Sequence, residues 1–213
     1  MSSPSVPRRR HFGMLRELRL ADWMTLGNGV AGVGAIFSYL DFSIHPARAS
    51  SLWLGGALLG IALLLDILDG RVARKLKAQS EVGRELDSLA DVVSFGVAPA
   101  VLGYAVGLRG LCDVVALMTF LACGISRLAR YNVTAQARSD EGGGKVRYFE
   151  GVPIPSSLLL VATLLALHAA GHTLELLPLG ELEVGPATFH PLSLLFVLHG
   201  FAMVSRTIRI PKP

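Results

Sequence analysis

Six long apolar runs, separated by polar segments, most constrain the fold of this 213-residue chain. Runs of about 20 apolar residues suit membrane helices, because a helix satisfies its own backbone hydrogen bonds inside a bilayer. With only 17% charged residues, the chain is more apolar than soluble domains, which average about 25%. We predict an all-α, polytopic membrane protein with six transmembrane helices: Trp23–Leu40, Leu52–Lys75, Arg84–Val106, Leu111–Asn132, Ile154–Ala170 and Pro191–Ser205.

The segment before the first apolar run is polar and basic. Because Met1–Arg10 lacks a short apolar run with a small-residue cleavage site, we predict no cleavable signal peptide. In Phe12–Leu20 apolar residues alternate with charged ones, which predicts a short amphipathic helix on the membrane surface, with a floppy tail as the alternative. We expect a single membrane domain over residues 1–213, of which residues 1–22 form a cytoplasmic or interfacial segment.

The basic residues are distributed unevenly between the two ends of the apolar runs. Eighteen of the 20 Lys and Arg residues lie in the N-terminal segment, the second and fourth connections and the C-terminal segment, leaving only Arg48 and Arg109 on the other side. The positive-inside rule then predicts an integral protein of the cell (inner) membrane with both termini cytoplasmic. The net charge of +4 is explained by topology and by anionic membrane lipids, and predicts no nucleic-acid partner.

Two stripes of small and charged residues interrupt the apolar pattern between the second and third runs. The first stripe consists of Asp66, Asp69, Gly70, Ala73 and Arg74, whose spacing places them on one face of a helix. The second consists of Gly83, Asp87 and Asp91, whose spacing places them on one face of the next helix. A short turn through Lys77–Glu81 would make the two helices antiparallel, so that the stripes face each other. We therefore expect four carboxylates to converge near the cytoplasmic membrane surface.

Four carboxylates at one place repel one another unless a cation lies between them. A site made only of oxygen ligands favours Mg²⁺ or Mn²⁺, and two such ions commonly serve displacement at phosphorus. Gly70 and Gly83 leave room for a bulky ligand, and Arg74 has the planar fork that pairs with phosphate. The alternatives are a solvated helix–loop–helix face and a transporter, but transport favours charges spread along a path across the membrane rather than at one surface.

The complete pattern from Asp66 to Asp91, D-x2-D-G-x2-A-R-x8-G-x3-D-x3-D, resembles that of the CDP-alcohol phosphotransferase family. Six membrane helices with cytoplasmic termini fit the same family. The resemblance implies a two-metal site for Mg²⁺ or Mn²⁺ whose ligands are Asp66, Asp69 and Asp87, with Asp66 and Asp87 bridging. It implies that Asp91 is the general base and also touches the second metal.

The resemblance also implies which residues line the site of a CDP-linked lipid. Gly70, Ala73, Arg74 and Gly83 match the family positions that hold the CDP group. Ser80 lies where family members can offer a polar contact, with an ordinary turn serine as the alternative. Asn28 is expected either to face the nucleotide or to cap the start of the first helix.

The reaction implied by the family is transfer of a phosphatidyl group from CDP-diacylglycerol to an alcohol. The segments Ser126–Val133 and Tyr148–Pro155 resemble the phosphatidylserine synthase branch, which implies L-serine as the acceptor. The serine carboxylate needs a cation, for which Arg127 or Arg130 is expected, and its ammonium needs an acceptor, for which Glu150 is expected. Two alternatives remain: arginines that only anchor topology, and glycerol 3-phosphate, inositol phosphate or choline as the acceptor.

Two further segments carry weaker predictions. Ala135–Phe149 is polar and contains EGGGK, and we expect a flexible connector rather than a nucleotide-binding loop, because no strand precedes its glycines. The small residues of GNGVAGVGA, from residue 27 onward, would let helices approach closely and are compatible with a homodimer.

Overall fold

The computed structural model describes residues 18–76, 81–140, 148–184, 187–205, 207 and 209–211. This part of the chain is mostly helical, as predicted, and each of the six apolar runs forms a helix. The helices are α1 (Leu20–Ile44), α2 (Ala49–Lys75), α3 (Glu81–Asp91), α4 (Ala98–Ala105), α5 (Leu111–Asp140), α6 (Leu158–Ala169) and α7 (Leu194–Val204). Short 3-10 helices lie at Ile154–Ser157, Leu174–Leu176 and Pro191–Ser193.

Three helical stretches in the described part are long and apolar enough to cross a membrane. They are Ala49–Lys75, Val82–Ala105 and Leu111–Thr134. The stretches Ile154–Ala169 and Pro191–Val204 are apolar but shorter. The chain is thus a membrane protein by the character of its helices, whereas six complete crossings stay a prediction. The predicted N-terminal amphipathic helix falls largely on residues outside the described part, in which α1 begins at Leu20.

The third apolar run is continuous but changes its hydrogen-bonding pattern after Asp91. Between α3 and α4, Val92–Val97 forms a π-helix, in which the Ala98 N–H donates to the Val93 carbonyl. Pro99 follows at the start of α4 and lacks the N–H that an α-helix would donate to the carbonyl four residues earlier. Single π-helical turns are frequent at functional sites, and this one begins directly after a candidate site residue.

Helix α1 lies against both α2 and the α3–π segment, and its small residues make this packing possible. A Cβ on Gly29 would lie 3.6 Å from Ala90 Cβ, and a Cβ on Gly32 would lie 2.9 Å from Ser94 Cα. The buried core around this junction includes Ala35, Tyr39, Leu59, Phe95 and Leu102. The small-residue stretch therefore packs within the chain, and the expected homodimer draws no support from it.

The second half of the fold packs α5 against α7. Phe120 and Phe196, both buried, meet edge to face with ring centroids 5.4 Å apart. At the end of α5 opposite the carboxylates, the buried Asp113 accepts hydrogen bonds from the Gly110 N–H at 3.1 Å and the His190 N–H at 2.8 Å. The His190 ring lies 2.6 Å from the same carboxylate through Nδ1. These contacts join the start of α5 to the segment that leads into α7.

Two antiparallel strand pairs were not predicted by an all-α assignment. Strand β1 (Tyr148–Glu150) pairs with β4 (Arg209–Pro211), and β2 (Leu182–Val184) pairs with β3 (Ala187–Phe189). The sequence analysis missed the strands because three residues show too little alternation to distinguish a strand from a loop. The predicted bounds of the connector Ala135–Phe149 are wrong at both ends, because α5 continues to Asp140 and β1 begins at Tyr148.

Candidate metal centre and active site

The C-terminal end of α2 and the facing turns of α3 bring three of the predicted carboxylates together. Asp66, Asp69 and Asp87 each offer one oxygen, and these oxygens lie within 4.8 Å of one another. Asp66 and Asp69 share a face because they are one helical turn apart, and α3 supplies Asp87 to the same cluster. Asp69 is buried, while Asp66 and Asp87 are partly buried.

The three carboxylates have the properties of a divalent-metal site. The Oδ1 atom of Asp87 is buried and has no hydrogen-bond partner in the part of the chain that the structure describes. A buried, unpaired carboxylate oxygen is costly unless a cation compensates it, and two further carboxylates within reach add to the repulsion. A hard cation with oxygen ligands would satisfy all three groups, so the donor set fits Mg²⁺ or Mn²⁺.

Asp91 lies one turn further along α3 and has a separate environment. It is 7% exposed, and its Oδ1 accepts a hydrogen bond from Asn28 Nδ2 at 3.3 Å. It remains within electrostatic range of Asp66 and Asp87. The structure therefore brings the four predicted aspartates into one region but divides them into a cluster of three and a single, differently supported carboxylate.

The position of Asn28 rules out one of its two interpretations. Asn28 is fully buried in the interior of α1, well after the helix start at Leu20, so it is not a helix cap. Its side-chain oxygen Oδ1 is buried and finds no hydrogen-bond partner within the described ranges, and its backbone carbonyl accepts a hydrogen bond from Ser94 Oγ at 3.0 Å. The contact with a nucleotide stays a prediction.

Two site residues of α1 were missed by the sequence analysis. Asp22 and Thr25 are 6% and 4% exposed and lie with Asn28 at three-residue intervals on one face. Thr25 Oγ1 lies 2.6 Å from Asp69 Oδ2, and Asp22 acts electrostatically on Asp69. The available signal was the recurrence of polar residues on one helix face of an apolar segment, which marks a face turned to the protein interior.

The residues expected to hold the CDP group lie beside the carboxylates. Gly70 follows Asp69 directly, and the Arg74 guanidinium folds back over it, with Nη1 3.5 Å from the position that a Cβ on residue 70 would take. Ala73 and Gly83 are partly buried, and Arg74 is exposed. Ser80 lies outside the described residues, so its predicted contact has no structural counterpart here.

The comparison with protein families decides the assignment. A family model described as CDP-alcohol phosphatidyltransferase matches residues 18–200, which include α1 to α6 and the first part of α7. The chain belongs to this family.

Several relatives of this chain have the name CDP-diacylglycerol–serine O-phosphatidyltransferase. The protein of that name from Saccharomyces cerevisiae (strain ATCC 204508 / S288c) is 43% identical over 209 residues, which cover 95% of this chain and 74% of the yeast chain. The one from Bacillus subtilis (strain 168) is 40% identical over 134 residues, covering 62% of this chain and 67% of its own. A solved structure, Mycobacterium tuberculosis phosphatidylinositol phosphate synthase with CDP-DAG bound, covers 90% of this chain and 84% of its own at 21% identity and a TM-score of 0.48.

The candidate acceptor residues occupy different positions in this family member. Arg127 on α5 is 8% exposed, its Nε has no hydrogen-bond partner among the described residues, and its guanidinium is within electrostatic range of Asp91. Arg130, one turn later, is partly buried. Glu150 lies in β1, where its backbone pairs with Arg209. The structure thus places Arg127 within electrostatic range of an aspartate of the site.

Proposed function

We propose that this protein transfers the phosphatidyl group of CDP-diacylglycerol to L-serine, giving phosphatidylserine and CMP. The observation that carries the proposal is the cluster of Asp66, Asp69 and Asp87, whose oxygens lie within 4.8 Å of one another beside the Gly70–Arg74 turn. Membership of the CDP-alcohol phosphatidyltransferase family supports the reaction class. The printed names of the relatives support serine as the acceptor.

In this proposal Asp66, Asp69 and Asp87 would be the ligands that hold Mg²⁺ or Mn²⁺. A bound Mg²⁺ or Mn²⁺ supplies charge that neutralises the pyrophosphate oxygens and makes CMP a better leaving group. The Oδ1 atom of Asp87 supports this assignment, because it is buried, has no hydrogen-bond partner among the described residues, and would be compensated by a cation.

Asp91 is proposed to accept the proton of the serine hydroxyl as the hydroxyl oxygen attacks the β-phosphorus. The P–O bond to serine forms, the bond to the bridging oxygen of the pyrophosphate breaks, and CMP leaves with that oxygen. The separate position of Asp91, held by Asn28 at 3.3 Å, suits this role because a general base needs a free oxygen within hydrogen-bonding reach of the nucleophile. Asp91 would also contribute an oxygen to the metal site in this proposal.

The CDP group is proposed to lie over the small residues between the two stripes, with Gly70, Ala73 and Gly83 leaving room and Arg74 pairing with a phosphate. Ser80 and Asn28 are proposed as further polar contacts. The exposed Arg74 side chain supports an electrostatic role, since its fork of N–H donors is available to a ligand that approaches from the membrane surface.

The lipid tail has an apolar surface next to these groups. A groove of about 580 Å³ runs between α1 and α3 and is lined by Thr25, Val30, Phe37, Leu89 and Val93, among others. Thr25 also contacts Asp69, so the groove begins at the carboxylate cluster. We propose that an acyl chain lies along this groove while the head group reacts.

The acceptor site is proposed around Arg127, with Arg130 and Glu150 as additional contacts to the serine carboxylate and ammonium. Arg127 is mostly buried, and its Nε lacks a hydrogen-bond partner among the residues that the structure describes, which leaves donor capacity for a carboxylate. A guanidinium binds a carboxylate through two parallel hydrogen bonds, and this geometry favours an amino-acid acceptor. We further propose that the site faces the cytoplasm and that the protein resides in the inner membrane.

A head-to-head acceptor assay tests this proposal. Purified protein in detergent receives CDP-diacylglycerol with Mg²⁺ or Mn²⁺, and CMP release is measured separately with L-serine, glycerol 3-phosphate, inositol phosphate and choline. We expect CMP release with serine and a loss of that release in Asp91→Asn. Release with another acceptor alone would reject serine but keep the family reaction, and no release from folded protein with any of them would reject the proposed activity.

A further inference from the structure

The face of α1 that meets the carboxylates carries a hydroxyl group with a defined partner. Thr25 is 4% exposed, and its Oγ1 lies 2.6 Å from Oδ2 of Asp69, a residue 44 positions away in the chain. Asp69 is itself 5% exposed. The contact therefore joins two helices in an interior from which water is largely excluded, where a hydrogen bond to a carboxylate is weakly screened.

The Thr25 hydroxyl has two acceptors but only one proton to donate. Its oxygen is also 3.1 Å from the carbonyl of Ala21, one turn earlier in α1. The carboxylate contact is the shorter of the two, and hydrogen bonds to an ionised acceptor are stronger than those to a neutral carbonyl. The Thr25 hydroxyl therefore donates its hydrogen bond to Asp69 when that carboxylate is ionised. The Ala21 carbonyl remains as the alternative acceptor.

This contact settles which oxygen of Asp69 is committed and how its carboxylate is oriented. A carboxylate held at Oδ2 cannot rotate freely, so its other oxygen keeps a fixed direction relative to Asp66 and Asp87. Groups that hydrogen-bond a metal ligand commonly raise metal affinity by fixing ligand orientation. We propose that Thr25 is a positioning residue that presents Asp69 to the divalent cation; this inference rests on the metal centre of the proposed function.

Two substitutions of Thr25 can separate the role of its hydroxyl from that of its methyl group. Thr25→Val keeps the size and β-branching of the side chain and removes the hydroxyl, whereas Thr25→Ser keeps the hydroxyl and removes a methyl group. The Ala21 carbonyl is already the i−4 acceptor of the helix backbone, so α1 retains its backbone hydrogen bonds in both variants. The two variants thus separate the hydroxyl from the packing of the methyl group.

The experiment is Mn²⁺ binding to purified full-length protein, measured from the signal of free Mn²⁺ in electron paramagnetic resonance without any substrate. We expect Thr25→Val to weaken Mn²⁺ binding about 10- to 100-fold, and Thr25→Ser to bind within about threefold of the parent protein. Thermal unfolding without metal checks that each variant is folded. In an Asp69→Asn background, Thr25→Val should cause no further loss of affinity, because the oriented ligand is already gone.

The outcomes separate this inference from the function on which it rests. If the parent protein binds Mn²⁺ and Thr25→Val binds it equally well, Thr25 does not position Asp69. If Thr25→Ser is as weak as Thr25→Val, the methyl group matters and the inference is wrong. If Thr25→Val is unfolded, Thr25→Ala takes its place. Comparing Thr25→Ala with Thr25→Ser, and repeating Thr25→Ala in the Asp69→Asn background, then tests the role of the hydroxyl. A parent protein that binds no Mn²⁺ would reject the metal centre itself, and the inference with it.

Discussion

Individual carboxylates of this site differ in what surrounds them, although the sequence pattern makes them look equivalent. Asp66, Asp69 and Asp87 cluster within 4.8 Å, whereas Asp91 is supported by Asn28. The spacing of the aspartates predicts that they share helix faces, because helical periodicity is a local property. Spacing does not predict that three aspartates cluster while Asp91 lies apart, or that the Thr25 hydroxyl donates a hydrogen bond to Asp69. Both features depend on how α1 packs against two later helices.

Replacing one ligand of the cluster should abolish stabilisation by metal. Without a cation the three carboxylates repel one another, so Asp87→Asn should unfold at the same temperature as the parent or higher when metal is absent. A ligand present at a hundredfold excess over its Kd stabilises a folded protein by about 2.7 kcal/mol, and we expect Asp87→Asn to lose this gain. Thermal unfolding with and without Mn²⁺ measures it.

Asp41→Asn is the matched control for that substitution. Asp41 lies near the other end of α1, where it pairs with Arg48 at 3.1 Å, and its replacement should leave the response to Mn²⁺ unchanged. Equal Mn²⁺ responses in Asp87→Asn and the parent protein would show that Asp87 is not a ligand.

Arg127 provides a second prediction at the scale of one residue. Arg127→Lys keeps the charge but loses the planar fork, so it should raise KM for serine and leave KM for CDP-diacylglycerol nearly unchanged. A hydrogen bond to a charged group contributes about 1.5–3 kcal/mol, which corresponds to roughly a 10-fold or larger rise in KM for serine. Steady-state kinetics with each substrate varied in turn measure both KM values, and Arg48→Lys at an exposed position is the control. An equal rise in both KM values of Arg127→Lys would contradict the account.

Helix α1 matters as an element because it holds the other two helices of the site in register. Gly32 packs against the π-helical turn at Ser94, and the same α1 face supplies Thr25 and Asn28 to the carboxylates. The apolar runs predict that these helices exist, since each run has the length and composition of a membrane helix. They do not predict the π-helical turn, which depends on one proline and on packing against α1.

An added methyl group at Gly32 should therefore damage both the packing and the site. Its Cβ would lie 2.9 Å from the Cα of Ser94, and overpacking of this kind costs about 1–3 kcal/mol. Gly60→Ala on α2 is the matched control, because no atom of the described residues lies within 4 Å of its added Cβ. This change should be neutral or stabilise the helix by about 0.5–1 kcal/mol. Unfolding in detergent compares the two, and a Gly32→Ala protein as stable as Gly60→Ala would refute this packing role.

At the scale of the whole molecule, the charge distribution and the site should agree on one orientation. The carboxylates lie at the end of α2 near Lys75, and in the sequence most basic residues fall beside the corresponding ends of the apolar runs. The sequence predicts this orientation from charge alone. It does not predict the two strand pairs or the Asp113–His190 contact, because these join segments that are far apart in the chain and show no periodic pattern.

Orientation can be measured by labelling single cysteines in intact cells with a membrane-impermeant thiol reagent. In a background with Cys112 and Cys123 replaced by alanine, a cysteine at the exposed Arg48 should react from outside. A cysteine at Leu76, which is 61% exposed, should react only after permeabilisation. The reverse pattern would place the carboxylate cluster on the outer side and overturn the proposed cytoplasmic site.

The most direct test of the central claim follows the oxygen of the serine hydroxyl. Purified protein receives CDP-diacylglycerol, Mn²⁺ and L-serine labelled with ¹⁸O in its side-chain hydroxyl, and mass spectrometry reads the lipid product and CMP. Attack of the hydroxyl on the β-phosphorus predicts phosphatidylserine that retains the label, unlabelled CMP, and no product from Asp91→Asn. Phosphatidylserine without the label, or no phosphatidylserine from folded parent protein with metal present, would contradict the account.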